Sequence, residues 1–375
     1  MGESSGLYAN RVARAQATMM SHDIDVLLLS VGSDLPYLIG YHAMPLERLT
    51  MLVVQQTGTP VLVVPRMEAA RVVVLPGVFT VQAWNETDDP IALVAQLVGG
   101  QSGPTPVVAA VGDTMWARFL VELLQHWPTA STTYVRGTQV MNALRMVKDA
   151  AEIAALAAAG AAVDRIAGQL QAGDIALVGQ TEAQVSAEIG RRILSEGHEL
   201  VNFAIVAAGS NAASPHHHAG DRVIQANELV LCDFGGTMQG YCSDITRCVV
   251  TGPIPGDIAE AYEVLHRAQA AGVQAGIVGA TCQQVDRASR QVIDDAGYGQ
   301  YFIHRTGHGI GMEAHEDPYM VEGNDLPIQP GHAFSVEPGI YIDGRWGMRL
   351  EDIVVASADG PVSMNNANHA LVALG

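Results

Sequence analysis

Asp233 and Asp244 lie within the stretch 228–247, ELVLCDFGGTMQGYCSDITR. An apolar run, Leu229-Val230-Leu231-Cys232, delivers the first carboxylate, and the Gly235-Gly236 pair is read as the turn. Tyr241-Cys242-Ser243 then delivers the second carboxylate on the returning strand. Two carboxylates about 4 Å apart repel by roughly 4 kcal/mol at an effective dielectric near 20. Such a pair must share either a proton or a cation. Taken alone, the hairpin reads equally well as two solvated acids at a turn and a strand end.

Three further clusters change that balance. His304-Arg305-Thr306-Gly307-His308-Gly309-Ile310-Gly311 sets two histidines in a glycine-rich loop, where missing side chains let a backbone approach something closely. Glu337 ends the apolar strand 333–336 and is stopped at once by Pro338-Gly339, while Glu351 sits inside the run 348–355. Acids in strand interiors are rarely buried unless paired or bound to a cation. Asp233, Asp244, His308, Glu337 and Glu351 thus supply four carboxylates and one imidazole. That is more oxygen than one zinc takes, and it suits two divalent metal ions, manganese foremost, with cobalt, iron or zinc as alternatives. Two ions about 3.5 to 4 Å apart can hold a bridging hydroxide and stabilise an oxyanion.

These residues need a scaffold. Residues 10–21 read as a helix, strands follow at 25–30, 51–54 and 60–64, and the alternation of strand and helix to about residue 140 suggests a small α/β domain. His42, Glu47 and Arg48 fall in its loops and read as surface or capping residues. The pattern G-x-S-x-G at residues 2–6 is taken as a chance match in a loose terminus, because no strand leads into it. From 149 to 170 an alanine-rich segment has Ile153, Leu156, Val163, Ile166 and Leu170 at helical spacing. Further helices are expected at 181–194, 257–272 and 281–295. A helix pair followed by a hairpin occurs twice, over 150–250 and 257–356, as in a duplicated half-domain. The later part therefore reads as α+β, with an antiparallel sheet lined by helices.

Composition excludes several classes of partner. Thirty-nine acidic against 20 basic residues give a formal charge of -19, so a phosphate backbone would be repelled and nucleic acid is not expected. Hydrophobic content of 49% and charged content of 16% are those of a folded chain with two domains. No apolar run approaches the roughly 20 residues of a membrane span. The four cysteines lack metal or redox spacing and read as small core residues in a cytoplasmic protein.

The hairpin, HRTGHGIGMEAHEDPY, FSVEPGIY and GMRLEDIVV together resemble the signature of the creatinase-like "pita-bread" metallopeptidases, which include prolidase (Xaa-Pro dipeptidase) and Xaa-Pro aminopeptidase. The resemblance implies a pita-bread catalytic domain, an antiparallel sheet lined by helices and pseudo-duplicated, over 141–375. A smaller α/β creatinase-type domain over 1–140 precedes it. The implied activity is metal-dependent hydrolysis of an N-terminal Xaa-Pro bond in dipeptides or short peptides, by a hydroxide held between two metals. Asp244 and Glu351 match the bridging ligands, Asp233 a ligand of one ion, and His308 with Glu337 the ligands of the other. His216 and His315 match substrate-site histidines, His304 a further pocket histidine, and Arg349 the arginine beside the bridging glutamate. On this pattern His315 stabilises the oxyanion and Glu337 shuttles the proton to the leaving nitrogen. His216 and His304 line a pocket for the proline ring, since the bond before proline has no N–H to recognise. His217 and His218 match no family role.

One position departs from the pattern. Tyr319 stands where dipeptidase-type members carry an arginine for the C-terminal carboxylate, leaving Arg305 or a residue of the N-terminal domain to substitute. Longer Xaa-Pro peptides are therefore expected to be cleaved alongside dipeptides, and an Xaa-Pro aminopeptidase is the alternative. A metal-free creatinase-like hydrolase would have lost the ligands. A methionine aminopeptidase would lack so large an N-terminal domain, and no strand leads into Gly307-x-Gly309-x-Gly311 as a dinucleotide site requires. The family also implies a homodimer in which the N-terminal domain helps to close the partner's site.

Overall fold

The computed structural model describes residues 2–99 and 106–374. The chain divides into two compact units, 1–145 and 146–375. The first contains α1 (Gly2–Ser21), β1 (Val26–Leu29), α2 (Asp34–Ile39), β2 (Met51–Gln55), β3 (Val61–Pro65), α3 (Arg66–Ala69), β4 (Thr80–Trp84), α4 (Pro90–Gly99), β5 (Val108–Val111), α5 (Ala117–His126), β6 (Thr133–Arg136) and α6 (Thr138–Arg145). Among the described residues six strands form one mixed sheet in the order β4-β3-β2-β1-β5-β6. Val26, Leu28, Met51, Val53 and Val63 bury one face against Ile91 and Val94 of α4 and Phe119 and Leu123 of α5. The division falls after α6, not at residue 140, because Tyr37 Oη donates to the Leu144 carbonyl at 3.1 Å and Arg145 pairs with Asp34 at 2.8 Å. The G-x-S-x-G pattern lies in the opening turns of α1, so that segment is helical rather than loose, although the Ser4 side chain is outside the described residues.

The second unit contains α7 (Ala150–Gln171), α8 (Glu182–Ser195), β7 (Leu200–Ala208), β8 (Leu229–Met238), β9 (Tyr241–Cys242), β10 (Ile245–Val250), α9 (Gly256–Ala275) and α10 (Cys282–Asp295). After these come β11 (Gly307–Gly309), β12 (Glu316–Met320), β13 (Ala333–Val336), β14 (Gly339–Ile342), β15 (Trp346–Arg349), β16 (Asp352–Ser357), β17 (Gly360–Ser363) and β18 (Val372–Ala373). Asp149 caps α7 in a reciprocal box with Glu152, which fixes where this alanine-rich helix begins. The described strands form one sheet in the order β18-β10-β8-β7 with β9 beside β8, a second in the order β12-β11-β13-β16-β17, and a ribbon of β14 with β15.

The duplication is visible in matching hydrogen bonds. At the start of α8 Thr181 N donates to Gln184 Oε1 at 2.8 Å, and at the start of α10 Thr281 N donates to Gln284 Oε1 at 2.7 Å. Gly179 N donates to the Ile224 carbonyl at 3.0 Å, and Gly279 N donates to the Ile328 carbonyl at 2.9 Å. Both glycines have positive φ, 83° and 89°, where a side chain would be strained. Each half is thus a helix pair laid on antiparallel strands, and the site is built from both.

Strand alternation decides which way the acids point. Val230, Cys232 and Phe234 of β8 pack with α7 and α8, whereas Leu229 and Leu231 pack with α9, Met348 and Leu350. Asp233 shares the second face by its period of two. On β10, Ile245 and Val249 take the first face and Cys248 and Val250 the second, so Thr246 joins Asp233, its paired neighbour. The four cysteines are free and buried. Among the described residues no helix is long and apolar enough to cross a membrane.

Candidate active site

The hairpin differs from its sequence reading in one respect. Gly235 and Gly236 are not the turn but lie inside β8, and the chain reverses at Gln239 and Gly240, with φ of 53° and 79°. A Cβ on Gly235 would lie 2.1 Å from the Ser243 carbonyl oxygen, and one on Gly236 would lie 2.5 Å from that of Leu200. Glycine is therefore required for strand contact. Asp244 occupies the irregular step between β9 and β10.

The glycine-rich segment holds a short strand, β11, at its centre, with irregular backbone on either side. A Cβ on Gly307 would meet the Ser335 carbonyl oxygen at 1.9 Å, and one on Gly309 the Asp317 oxygen at 2.3 Å, so the glycines admit neighbouring strands. The run 348–355 is broken as well. Arg349 ends β15, Asp352 begins β16, and Glu351 sits between them, bridged to Thr246 of the other half.

These elements bring the predicted residues to one cavity of about 770 Å³, lined by His216, Asp233, Asp244, His304, His308, His315, Glu337, Arg349 and Glu351, with Phe203, Ile205, Pro215 and Ile303 as apolar wall. Ligand atoms of Asp244, His308 and Glu351 all lie within 4.8 Å of one another. His308 Nε2 is 3.2 Å from Glu337 Oε1 and 3.8 Å from Asp244 Oδ2. Its Nδ1 lies 3.1 Å from the Gly309 carbonyl, which can accept only from an N–H. That contact turns Nε2 toward the carboxylates, in the orientation of a metal-binding imidazole. Asp233 is held by Arg349 Nη2, so it stands just outside the tight trio.

The electrostatics are those of like charges buried together. Asp244 is raised well above the usual carboxylate range, first by burial and then by Glu351 and Asp233. Glu351 is raised for the same first reason and then by Glu337 and Asp233. Asp233 is raised by burial against the opposing charge of Arg349. Glu337 goes the other way: burial would raise it, but the hydrogen bond and charge of His308, with His304 and Arg349, take it down to about 2. Asp233 Oδ1 and Asp244 Oδ1 are buried with no hydrogen-bond partner. Orphaned buried carboxylate oxygens are costly, and a cation satisfies them. The donor set therefore fits divalent metal.

Sequence reasoning missed the residues that orient these ligands. Thr246 Oγ1 donates to Glu351 Oε2 at 2.6 Å and accepts from Arg349 Nε at 3.1 Å. Ser335 Oγ donates to Glu337 Oε1 at 3.0 Å and accepts from His308 N at 3.0 Å. Tyr341 accepts from Arg349 Nη1 at 2.7 Å and lies 3.0 Å from His304 Nε2. Thr246 and Ser335 each stand two residues from a candidate ligand, the spacing that shares a strand face, which is the signal that could have found them. Of the unassigned histidines, His217 bonds the fully buried Glu182 at 2.8 Å and so braces the start of α8, while His218 is exposed. His216 is exposed at the cavity wall.

A two-half α+β unit that gathers four carboxylates and an imidazole beside three further histidines is the architecture of a metallopeptidase. Residues 145–358 match the model of metallopeptidase family M24, and 11–147 match the creatinase/prolidase N-terminal domain. The chain belongs to the M24 metallopeptidases with a creatinase-type N-terminal domain. It is 44% identical to the probable dipeptidase PepE of Mycobacterium tuberculosis over 98% of this chain and 96% of that protein. It is 35% identical to the Xaa-Pro dipeptidase of Lactobacillus helveticus over 92% of this chain and 94% of that one. The crystal structure of dipeptidase PepE from Mycobacterium ulcerans superposes with a TM-score of 0.92 at 45% identity, covering 99% of this chain and 98% of that one.

Proposed function

We propose that this enzyme hydrolyses Xaa-Pro bonds in dipeptides and short proline-containing peptides, using two divalent ions, manganese first among them. Asp244 and Glu351 would hold both ions, Asp233 one, and His308 with Glu337 the other. The observation that carries the reading is the convergence of these five ligands with His216, His304 and His315 on one apolar-walled cavity. Bound there, the ions supply an activated water and polarise the scissile carbonyl.

The chain's own residues do the rest. The His315 ring is tilted by 42° to that of His308, with ring centroids 3.9 Å apart. Burial and the neighbouring His308 bring it down to about 4, so near neutrality it is an uncharged imidazole able to donate one hydrogen bond to the developing oxyanion. Glu337, ionised at neutral pH, takes a proton from the attacking water and returns it to the leaving nitrogen. His304 is held between the Arg305 carbonyl, 2.7 Å from Nδ1, and Tyr341, so its ring forms a fixed wall. With Phe203, Ile205 and Ile303 it suits a pyrrolidine ring.

His315→Ala is expected to lower kcat by about 10² to 10³, the effect of losing one oxyanion donor, with metal content unchanged. His216→Ala is expected mainly to raise KM, because binding common to ground and transition states is lost. Steady-state kinetics with metal analysis separate the two. The proline assignment is tested by comparing Xaa-Pro with Xaa-Ala dipeptides on the metal-loaded enzyme, and equal rates would remove it.

A further inference from the structure

Two arginines line the cavity, and their circumstances differ. Arg349 is buried and engaged by Asp233, Thr246 and Tyr341. Arg305 is half-buried, and its guanidinium carbon lies 4.1 Å from the centre of the Tyr319 ring on β12. Among the described residues no carboxylate pairs with it, in a chain with 39 acidic side chains against 20 basic. Stacking on an aromatic face fixes the plane of a guanidinium and leaves its edge N–H groups to donate.

A dipeptide with neutral side chains carries one anionic group, its α-carboxylate. Resting on the Xaa-Pro reading above, we propose that Arg305, oriented by Tyr319, binds that carboxylate and is a specificity-determining residue favouring dipeptide acids over longer peptides. The planar fork of a guanidinium matches a carboxylate in a paired hydrogen bond. One more residue carries the chain end about 3.3 to 3.6 Å further, longer than a hydrogen bond, so a tripeptide forfeits the contact. Half-exposure keeps the effect to a preference, so tripeptides remain substrates.

The test is kcat/KM of the full-length, metal-loaded enzyme on an Xaa-Pro acid, the corresponding Xaa-Pro amide and an Xaa-Pro-Xaa tripeptide. The wild type is expected to prefer the acid to the amide by about 10- to 100-fold, mostly through KM, as a charge-assisted hydrogen bond provides. Arg305→Gln should bring that ratio close to 1. Arg305→Lys should retain part of it, Tyr319→Phe most of it, and Tyr319→Leu less. An acid-to-amide ratio of about 1 in the wild type, or an undiminished ratio in Arg305→Gln, overturns the inference while leaving Xaa-Pro hydrolysis standing. A wild type that cleaves Xaa-Ala as readily as Xaa-Pro overturns the underlying reading instead.

Discussion

Exhaustive chelation is expected to abolish peptide hydrolysis and to lower the melting temperature, both recovered on adding a divalent ion. The cause lies in the buried Asp233, Asp244 and Glu351, which without a cation face one another and Glu337. At a metal concentration a hundredfold above Kd, binding stabilises the folded chain by about 2.7 kcal/mol. The dependence on pH has a definite sign. A carboxyl whose folded pKa is raised contributes stability that is present below its unfolded pKa and is lost as pH rises through the folded value. The metal-free chain thus loses the contribution of Asp244 and Glu351 on going up in pH, whereas metal, which must displace their protons, binds more tightly. The thermal shift on adding metal should therefore grow as pH rises above the usual carboxylate range. Calorimetry with and without metal measures it. Full activity in a preparation shown to be metal-free would refute the expectation.

Asp244→Asn is expected to reduce turnover by about 10³-fold or more, because several kcal/mol of metal-derived transition-state stabilisation go with it. Metal stoichiometry should fall together with activity. Stability should not follow the same direction: the substitution removes a buried charge held against Glu351, so the metal-free variant should melt no lower than metal-free wild type. A variant that keeps wild-type rates with both ions bound would disprove the bridging role. A large loss of apo stability would show that Asp244 serves the fold rather than the site.

Much of this site was legible because its residues break the rules of their surroundings. Glu337 and Glu351 stood out as acids amid apolar runs; Glu351 is buried and Glu337 partly so. The helices were legible from alanine content, apolar spacing and capping residues such as Asp149 and Thr181. What failed was local geometry. Gly235-Gly236 reads as a hairpin turn by composition, yet those glycines exist because a neighbouring backbone occupies the space of a Cβ, which no local rule can see. The break at Leu350-Glu351 was hidden for a similar reason: β15 and β16 belong to different sheets, and the apolar run through both looks continuous. Thr246 and Ser335 show in sequence only as hydroxyls two residues from an acid, and Tyr341 shows nothing, since its contact with His304 comes from pairing across 37 residues.

The two-half construction has a consequence for the order in which the enzyme comes into being. Asp233 and Asp244 belong to the first half, and His308, Glu337 and Glu351 to the second. A nascent chain that has emerged only through β10 carries two aspartates and neither the imidazole nor the glutamates, so it has no half-affinity site to fill early. Domains fold as the chain is synthesised, the N-terminal parts first. Metal capture is therefore expected to be a late event that follows closure of the second half over the first, and the appearance of bound metal should mark the moment at which a newly made molecule becomes a peptidase.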